Sequence, residues 1–137
     1  MSDHRILSEQ NQYYIPKETF LMLIHYCKQY PQWVDELNAM TDTSKAIRYD
    51  GDRVQTSMDG DPTSELAMRR AEISRKKEMV DEVIELVAGN VNLNKWLQLG
   101  VCHDYTYYQL QECGIPCGRG YYYQMRRRFY WEMSRRI

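Results

Sequence analysis

The chain has 137 residues, of which 43% are hydrophobic and 27% charged, and a formal net charge of -1. This composition is typical of one soluble globular domain, or of a small domain with an appendage. No apolar run approaches the roughly 18 residues of a membrane span, residues 1–10 lack the features of a secretion signal, and four scattered cysteines fit the reduced thiols of a cytoplasm.

The first 41 residues are predicted to form an N-terminal helical hairpin. Residues 1–12 are polar, and we expect them to be frayed. Pro16 suits the first turn of a helix, and Tyr30-Pro31 separates two helices because the residue before proline disfavours the α conformation. The apolar positions at helical spacing are Phe20, Leu23, Ile24 and Cys27 in the first helix, and Trp33, Val34, Leu37 and Met40 in the second.

Residues 42–60 are rich in Asp, Gly, Ser and Thr and contain few residues that could be buried. They are predicted to be a flexible linker. A long surface loop explains the composition equally well, although such loops are uncommon within compact domains.

A long helix is predicted from residue 61. Asp61 can cap it, Pro62 takes the first helical position, and Gly89-Asn90 ends it. Its apolar face consists of Leu66, Ile73, Val80, Ile84 and Val87. Its other side carries Arg69, Arg70, Arg75, Lys76 and Lys77, which are more simply a solvated face than phosphate contacts. Leu93, Trp96, Leu97, Leu99 and Val101 predict a short helix that ends near Gly100.

The last segment has the pattern of a helix-turn-helix. Asp104 or Thr106 can cap a short helix, and Gly114 fits a tight turn because glycine accepts positive φ. Ile115 is expected as a buried plug between the helices, and Pro116 delays the start of the next helix. A short helix, a glycine turn, an apolar plug and a longer basic helix are the parts of this motif.

Two opposite faces are predicted for the final helix. The core stripe, within about 60° at about 100° per residue, is Tyr122, Met125, Phe129 and Met133. The outward side is Gly120, Gln124, Arg127 and Trp131. Arg119 lies at the N-terminus of the helix, where free N–H groups favour phosphate.

Charge is concentrated in the same segment. Residues 101–137 hold six arginines against three acidic residues, and from Cys113 onward only Glu132 opposes the arginines, a local balance of +5. Seven of the twelve tyrosines lie between Tyr105 and Tyr130. A basic end on a neutral chain is typical of a nucleic-acid surface, although arginines that merely solvate the last helix are the alternative.

The candidate DNA-binding residues are Arg119, Tyr123, Gln124, Arg126, Arg127 and Arg128. Gln124 and Arg127 are of the types that bond adenine and guanine edges with two hydrogen bonds. Tyr123, Arg126 and Arg128 are better placed for the phosphate backbone.

Apart from this predicted interface, the sequence shows no clear catalytic or metal-binding pattern. Cys102, His103, Cys113 and Cys117 suggest zinc, but two ligands are adjacent and the spacing of the others is poor, so packed thiols are the simpler interpretation. Gly-rich phosphate loops, nucleophile elbows and spaced carboxylate pairs are absent from the sequence. We therefore expect no enzyme activity, no metal and no cofactor.

Several short motifs between residues 14 and 137 resemble one known family. They are Tyr30-Pro31, Leu37 and Met40, then Asp61-Pro62-Thr63, Ala67, Arg70, Val80, Val83 and Ile84, and finally Tyr107, Leu110, Ile115, Tyr122 and the block Met125-Arg126-Arg127-Arg128. In these the chain resembles the RinA/ArpU-type regulators of phage late genes. Residues 116–120 depart from the family, whose turns more often carry Ser-x-x-Thr/Val.

This resemblance implies a C-terminal helix-turn-helix similar to the sigma-factor domain that binds the −35 promoter element. It also implies activation of transcription by a protein that binds promoter DNA and engages RNA polymerase. The sequence as a whole predicts an all-α protein with a hairpin over residues 1–41, a linker over 42–60 and a helix-turn-helix domain over 61–137.

The predicted function is sequence-specific binding of double-stranded DNA in a bacterial cytoplasm, at the nucleoid, with no membrane partner and with the oligomeric state left open. The rival is a phage assembly or packaging protein similar to a small terminase subunit, or an inhibitor module that uses the same basic helix on a protein surface.

Overall fold

The computed structural model describes residues 7–49, 62–89 and 91–137 and is all-helical over these ranges, with no strand among them. In chain order the helices are α1 (Lys17–Lys28), α2 (Tyr30–Tyr49), α3 (Pro62–Ala88), α4 (Val91–Cys102), α5 (Tyr107–Glu112) and α6 (Arg119–Ser134). The all-α prediction is confirmed.

The chain divides into two compact units. One comprises the described residues of Met1–Tyr30 and Val80–Ile137, and the other comprises the described residues of Pro31–Met79. The predicted boundaries at residues 41 and 61 differ from this grouping, because α1 contacts both α4 and α6. Helix α3 contributes its first part to one unit and its last part to the other.

The core of the first unit is built around α1, α4 and α6. The predicted apolar face of α1 is buried throughout, and Phe20 meets Tyr130 of α6 edge to face at 5.3 Å between ring centroids. Tyr30, the first residue of α2, donates a hydrogen bond of 2.6 Å to the Asp81 carboxylate of α3. Burial, then that hydrogen bond, raises the pKa of Tyr30.

Gly100 lies inside α4, so this glycine does not itself end the helix. The helix runs on to Cys102. A Cβ atom at Gly100 would overlap the hydroxyl of Tyr122, which is fully buried on α6. The glycine therefore allows close packing of α4 and α6, and it is not a stop signal here.

The second unit contains most of α2 and the first part of α3. Its buried apolar side chains include Trp33, Met40 and Ile73. Helix α2 runs to Tyr49, so residues 42–49 are helical and that part of the linker prediction is wrong. Residues 50–60, and the proposed cap Asp61, lie outside the described residues. Helix α3 begins at Pro62, as predicted.

Within residues 7–49, 62–89 and 91–137, none of the helices combines the length and apolar character that a membrane span requires.

Candidate nucleic-acid interface

The turn between α5 and α6 is fixed by local hydrogen bonds. Thr106 caps α5 through a reciprocal capping box with Gln109. After α5, Gly114 adopts φ 97°, its N–H binds the Gln111 carbonyl, and the Ile115 N–H binds the Leu110 carbonyl. These are the two bonds of a Schellman ending, so the predicted glycine turn is confirmed. Ile115 itself is half-buried, less than the predicted plug.

Tyrosines hold α6 in place beside α5. The Tyr107 hydroxyl donates to the Cys117 carbonyl at 2.9 Å, one residue before the N-cap Gly118. The Tyr107 ring lies 5.6 Å from Tyr122 and 6.3 Å from Tyr123. These contacts join the start of α6 to α5. They therefore determine which side of α6 faces outward.

The inner face of α6 is the predicted core stripe. Tyr122, Phe129 and Met133 are fully buried and Met125 is 5% exposed. The stripe is confirmed, but the buried side of the helix is wider than predicted. Tyr130, Glu132 and Arg126 are buried as well.

We call the opposite side, made of Gly120, Gln124, Arg127 and Trp131, the outer face of α6. Gly120, Gln124 and Arg127 are exposed, whereas Trp131 is half-buried. A Cβ atom at Gly120 would meet nothing within 4 Å, so the fold does not require glycine at this position.

Three other predicted site residues flank the outer face. Arg119 is exposed in the first turn, and its guanidinium lies 5.6 Å from the centre of the Tyr123 ring. Tyr123 and Arg128 are half-buried. The structure therefore places five of the six predicted site residues (Arg119, Tyr123, Gln124, Arg127 and Arg128) at the surface of one helix.

Arg126 requires a correction, because its side chain is only 7% exposed. Its guanidinium lies 5.4 Å from the centre of the buried Tyr130 ring. Burial raises the pKa of Tyr130, and the positive charge of Arg126 opposes this rise. This arginine therefore belongs to the packed side of α6 and not to the exposed flank predicted for phosphate contact.

The charge of the last two arginines is also partly compensated. The Glu132 carboxylate lies 3.6 Å from Arg135 and 3.8 Å from Arg136. The Arg136 guanidinium also donates to the Glu132 carbonyl at 3.0 Å. With Arg126 buried, the cations that α6 offers to a ligand are mainly Arg119, Arg127 and Arg128, fewer than the local balance of +5 indicates.

Sequence reasoning missed the role of the segment before α1. Tyr13 packs on Trp131, with 5.7 Å between ring centroids, and residues 10–13 line a groove with Gln124 and Arg127. Residues 10–12 belong to the stretch 1–12, which the sequence predicts to be frayed because it is polar. The aromatic Tyr13 was the available signal, but no local pattern relates it to a tryptophan at the other end of the chain.

The cysteines and His103 differ widely in environment. Cys27 and Cys102 are buried, whereas Cys113 and His103 are exposed. Burial raises the pKa of the Cys27 thiol to about 12, and burial followed by the nearby Cys27 raises that of Cys102. Both thiols therefore stay protonated and unreactive at neutral pH. The described ranges hold no group of three or more His, Cys, Asp or Glu side chains suited to a metal ion.

Comparisons of the chain with models of known protein families, with curated proteins and with solved structures found no match.

Proposed function

We propose that this protein binds double-stranded DNA in a sequence-specific manner through α5 and α6, which act as a helix-turn-helix with α6 as the recognition helix. In this proposal Gln124 and Arg127 contact base edges in the major groove. Arg119, Tyr123 and Arg128 contact the phosphate backbone and fix the position of the helix.

The observation that carries the proposal is the composition of the exposed side of α6. Arg119, Gln124 and Arg127 are exposed there, and the single carboxylate of α6, Glu132, is 8% exposed and engaged by Arg135 and Arg136. An arginine surface without an exposed carboxylate on the same helix attracts phosphate and does not repel it. The outer face also offers Gly120, where a backbone or a base can approach closely.

The resemblance to RinA/ArpU-type regulators supports a more specific biological role. We propose a phage or prophage activator of late genes that acts in the bacterial cytoplasm, at the nucleoid, and engages RNA polymerase at the promoter. The α5–α6 pair is the part that corresponds to the helix-turn-helix of the sigma-factor-like domain. The oligomeric state stays open.

The test begins with selection of random duplexes by the full-length chain, followed by affinity measurements with excess non-specific competitor. We expect one enriched sequence whose binding survives the competitor. Two phosphate contacts, from Arg119 and Arg128, predict that the logarithm of the binding constant falls with the logarithm of salt with a slope of about −1.8.

A matched control comes from the exposed arginines of α3. Arg70→Ala removes an exposed cation from the other unit and should leave both affinity and slope unchanged, whereas Arg128→Ala should make the slope less negative by about 0.9. A selection without an enriched sequence would contradict sequence-specific binding and favour the packaging or inhibitor protein, and affinity that is flat in salt would contradict DNA binding itself.

A further inference from the structure

The segment from residue 8 to residue 14 is ordered against α6 before α1 begins. The Asn11 N–H binds the Ser8 carbonyl and the Tyr14 N–H binds the Asn11 carbonyl, both at 3.0 Å. The Asn11 side chain also accepts a hydrogen bond of 2.8 Å from the Tyr13 N–H. These bonds curl the segment into two consecutive turns.

Aromatic contacts attach this segment to the outer face of α6. The Tyr13 ring packs on Trp131 at 59° between ring planes, and the Arg135 guanidinium lies 4.7 Å from the centre of the same indole. Two residues after Tyr13, Ile15 is 6% exposed in the core. The last turn of the outer face, at Trp131, is thus partly covered by the chain itself, while the turns with Gly120, Gln124 and Arg127 stay accessible.

A groove of about 410 Å³ lies between this segment and α6. It is lined by Gln10, Asn11, Gln12, Tyr13, Gln124 and Arg127. Four of these six side chains are carboxamides and none is a carboxylate; Glu9, although exposed next to Gln10, does not line the groove.

The chemistry of the groove favours a nucleic acid over other ligands. Carboxamides both donate and accept hydrogen bonds, a guanidinium donates several, and this set matches base edges and phosphate oxygens. A single cation would give little affinity for an acidic peptide, and the polar lining does not suit an apolar ligand.

We infer that residues 10–12 form a second DNA-contacting element, in which the exposed amides of Gln10 and Gln12 bind the sugar-phosphate backbone beside the bases that Gln124 and Arg127 read. This inference rests on the proposed function. The partly covered Trp131 limits insertion into the DNA major groove to the turns of α6 before it, which include Gln124 and Arg127. Residues 10–12 then lie beside the sugar-phosphate backbone at the edge of the DNA major groove.

Because amides are neutral, this element has a distinctive signature. Loss of its hydrogen bonds lowers affinity but leaves the number of counterions released on binding unchanged. The slope of log affinity against log salt therefore stays the same. Contacts to the backbone carry no base information, so the loss is equal on every sequence.

The experiment compares Gln10→Ala/Gln12→Ala in the full chain with the wild type on the selected duplex and on its single-base variants. We expect affinity to fall about 3- to 10-fold on all duplexes, with an unchanged salt slope. Gln29→Ala, which alters an exposed glutamine at the other end of α1, should bind like the wild type.

A second pair of variants tests the attachment of the segment. Tyr13→Ala removes the ring that packs on Trp131 and should lower affinity at least as much, whereas Tyr13→Phe keeps the ring and should bind normally. Thermal melts of all variants separate these effects from unfolding.

Three results would overturn the inference. If the double variant binds like the wild type, the amides do not contact DNA. If it binds more tightly, the segment blocks the helix. If the wild type selects no duplex at all, the proposed function fails and this element fails with it; the first two results leave DNA binding by α6 intact.

Discussion

The inner and outer faces of α6 carry adjacent arginines with opposite environments. Arg126 is 7% exposed beside the Tyr130 ring, whereas Arg127 is exposed beside Gln124. Consecutive residues on a helix differ by about 100° in direction, and at this position that angle separates a packed guanidinium from an accessible one. A run of arginines in a sequence is therefore not a uniform basic surface.

Only part of the positive charge after Cys113 is available to DNA. The segment after Cys113 has six arginines, yet Arg126 is buried and Arg135 and Arg136 lie near the carboxylate of Glu132. The remaining arginines are on or beside the outer face. The proposed interface depends on where these few cations point, and each face can be tested by its own substitutions.

The largest effect is expected from Phe129→Ala on the inner face. Phe129 is fully buried and packs edge to face with Tyr130 at 5.2 Å between ring centroids. Its truncation should lower the free energy of unfolding by about 3–5 kcal/mol, because it leaves a cavity. Denaturant melts measure this loss. Tyr121→Ala, at a side chain 56% exposed, should stay within about 0.5 kcal/mol of the wild type.

Gly100→Ala tests the partner of the inner face on α4. Alanine normally stabilises a helix interior relative to glycine, but here its Cβ atom would overlap the Tyr122 hydroxyl. We expect the free energy of unfolding to fall by about 1–3 kcal/mol. Gly120→Ala is the control, since its Cβ atom meets nothing within 4 Å, and its melt should be unchanged or slightly higher. An unchanged melt for Gly100→Ala would contradict the close packing of α4 and α6.

Arg126→Ala should affect folding and not DNA affinity. The loss of the guanidinium beside Tyr130 should lower the free energy of unfolding by about 1–2 kcal/mol. The affinity of the folded fraction for DNA should equal that of the wild type. If the variant melts normally but binds all duplexes more weakly, Arg126 reaches a phosphate and the inner face is smaller than described.

Periodicity predicted much of the inner face and the turn before it. Tyr122, Met125, Phe129 and Met133 repeat at helical spacing, and Gly114 marks a turn because it accepts positive φ. Such signals are local, so they can be read from a single sequence. The same reasoning assigned the start of α6 to the region of Arg119, which the structure confirms.

The errors have a common physical cause, which is long-range packing. The burial of Arg126 depends on how α6 packs against the rest of the core, and the role of Gly100 depends on the Tyr122 hydroxyl. The position of Tyr13 depends on Trp131 at the far end of the chain. The Gly100–Tyr122 and Tyr13–Trp131 contacts join residues far apart in sequence, so a helical wheel cannot find them.

The central claim is that the outer face of α6 reads DNA, and Arg127→Ala tests it most directly. Binding of this variant to single-base variants of the selected duplex should show a loss of about 1–3 kcal/mol and a relaxed preference at one or two base pairs. Its melt should match the wild type, because Arg127 is exposed. An unchanged base preference for Arg127→Ala, or a change produced by Arg126→Ala in its place, would contradict the claim.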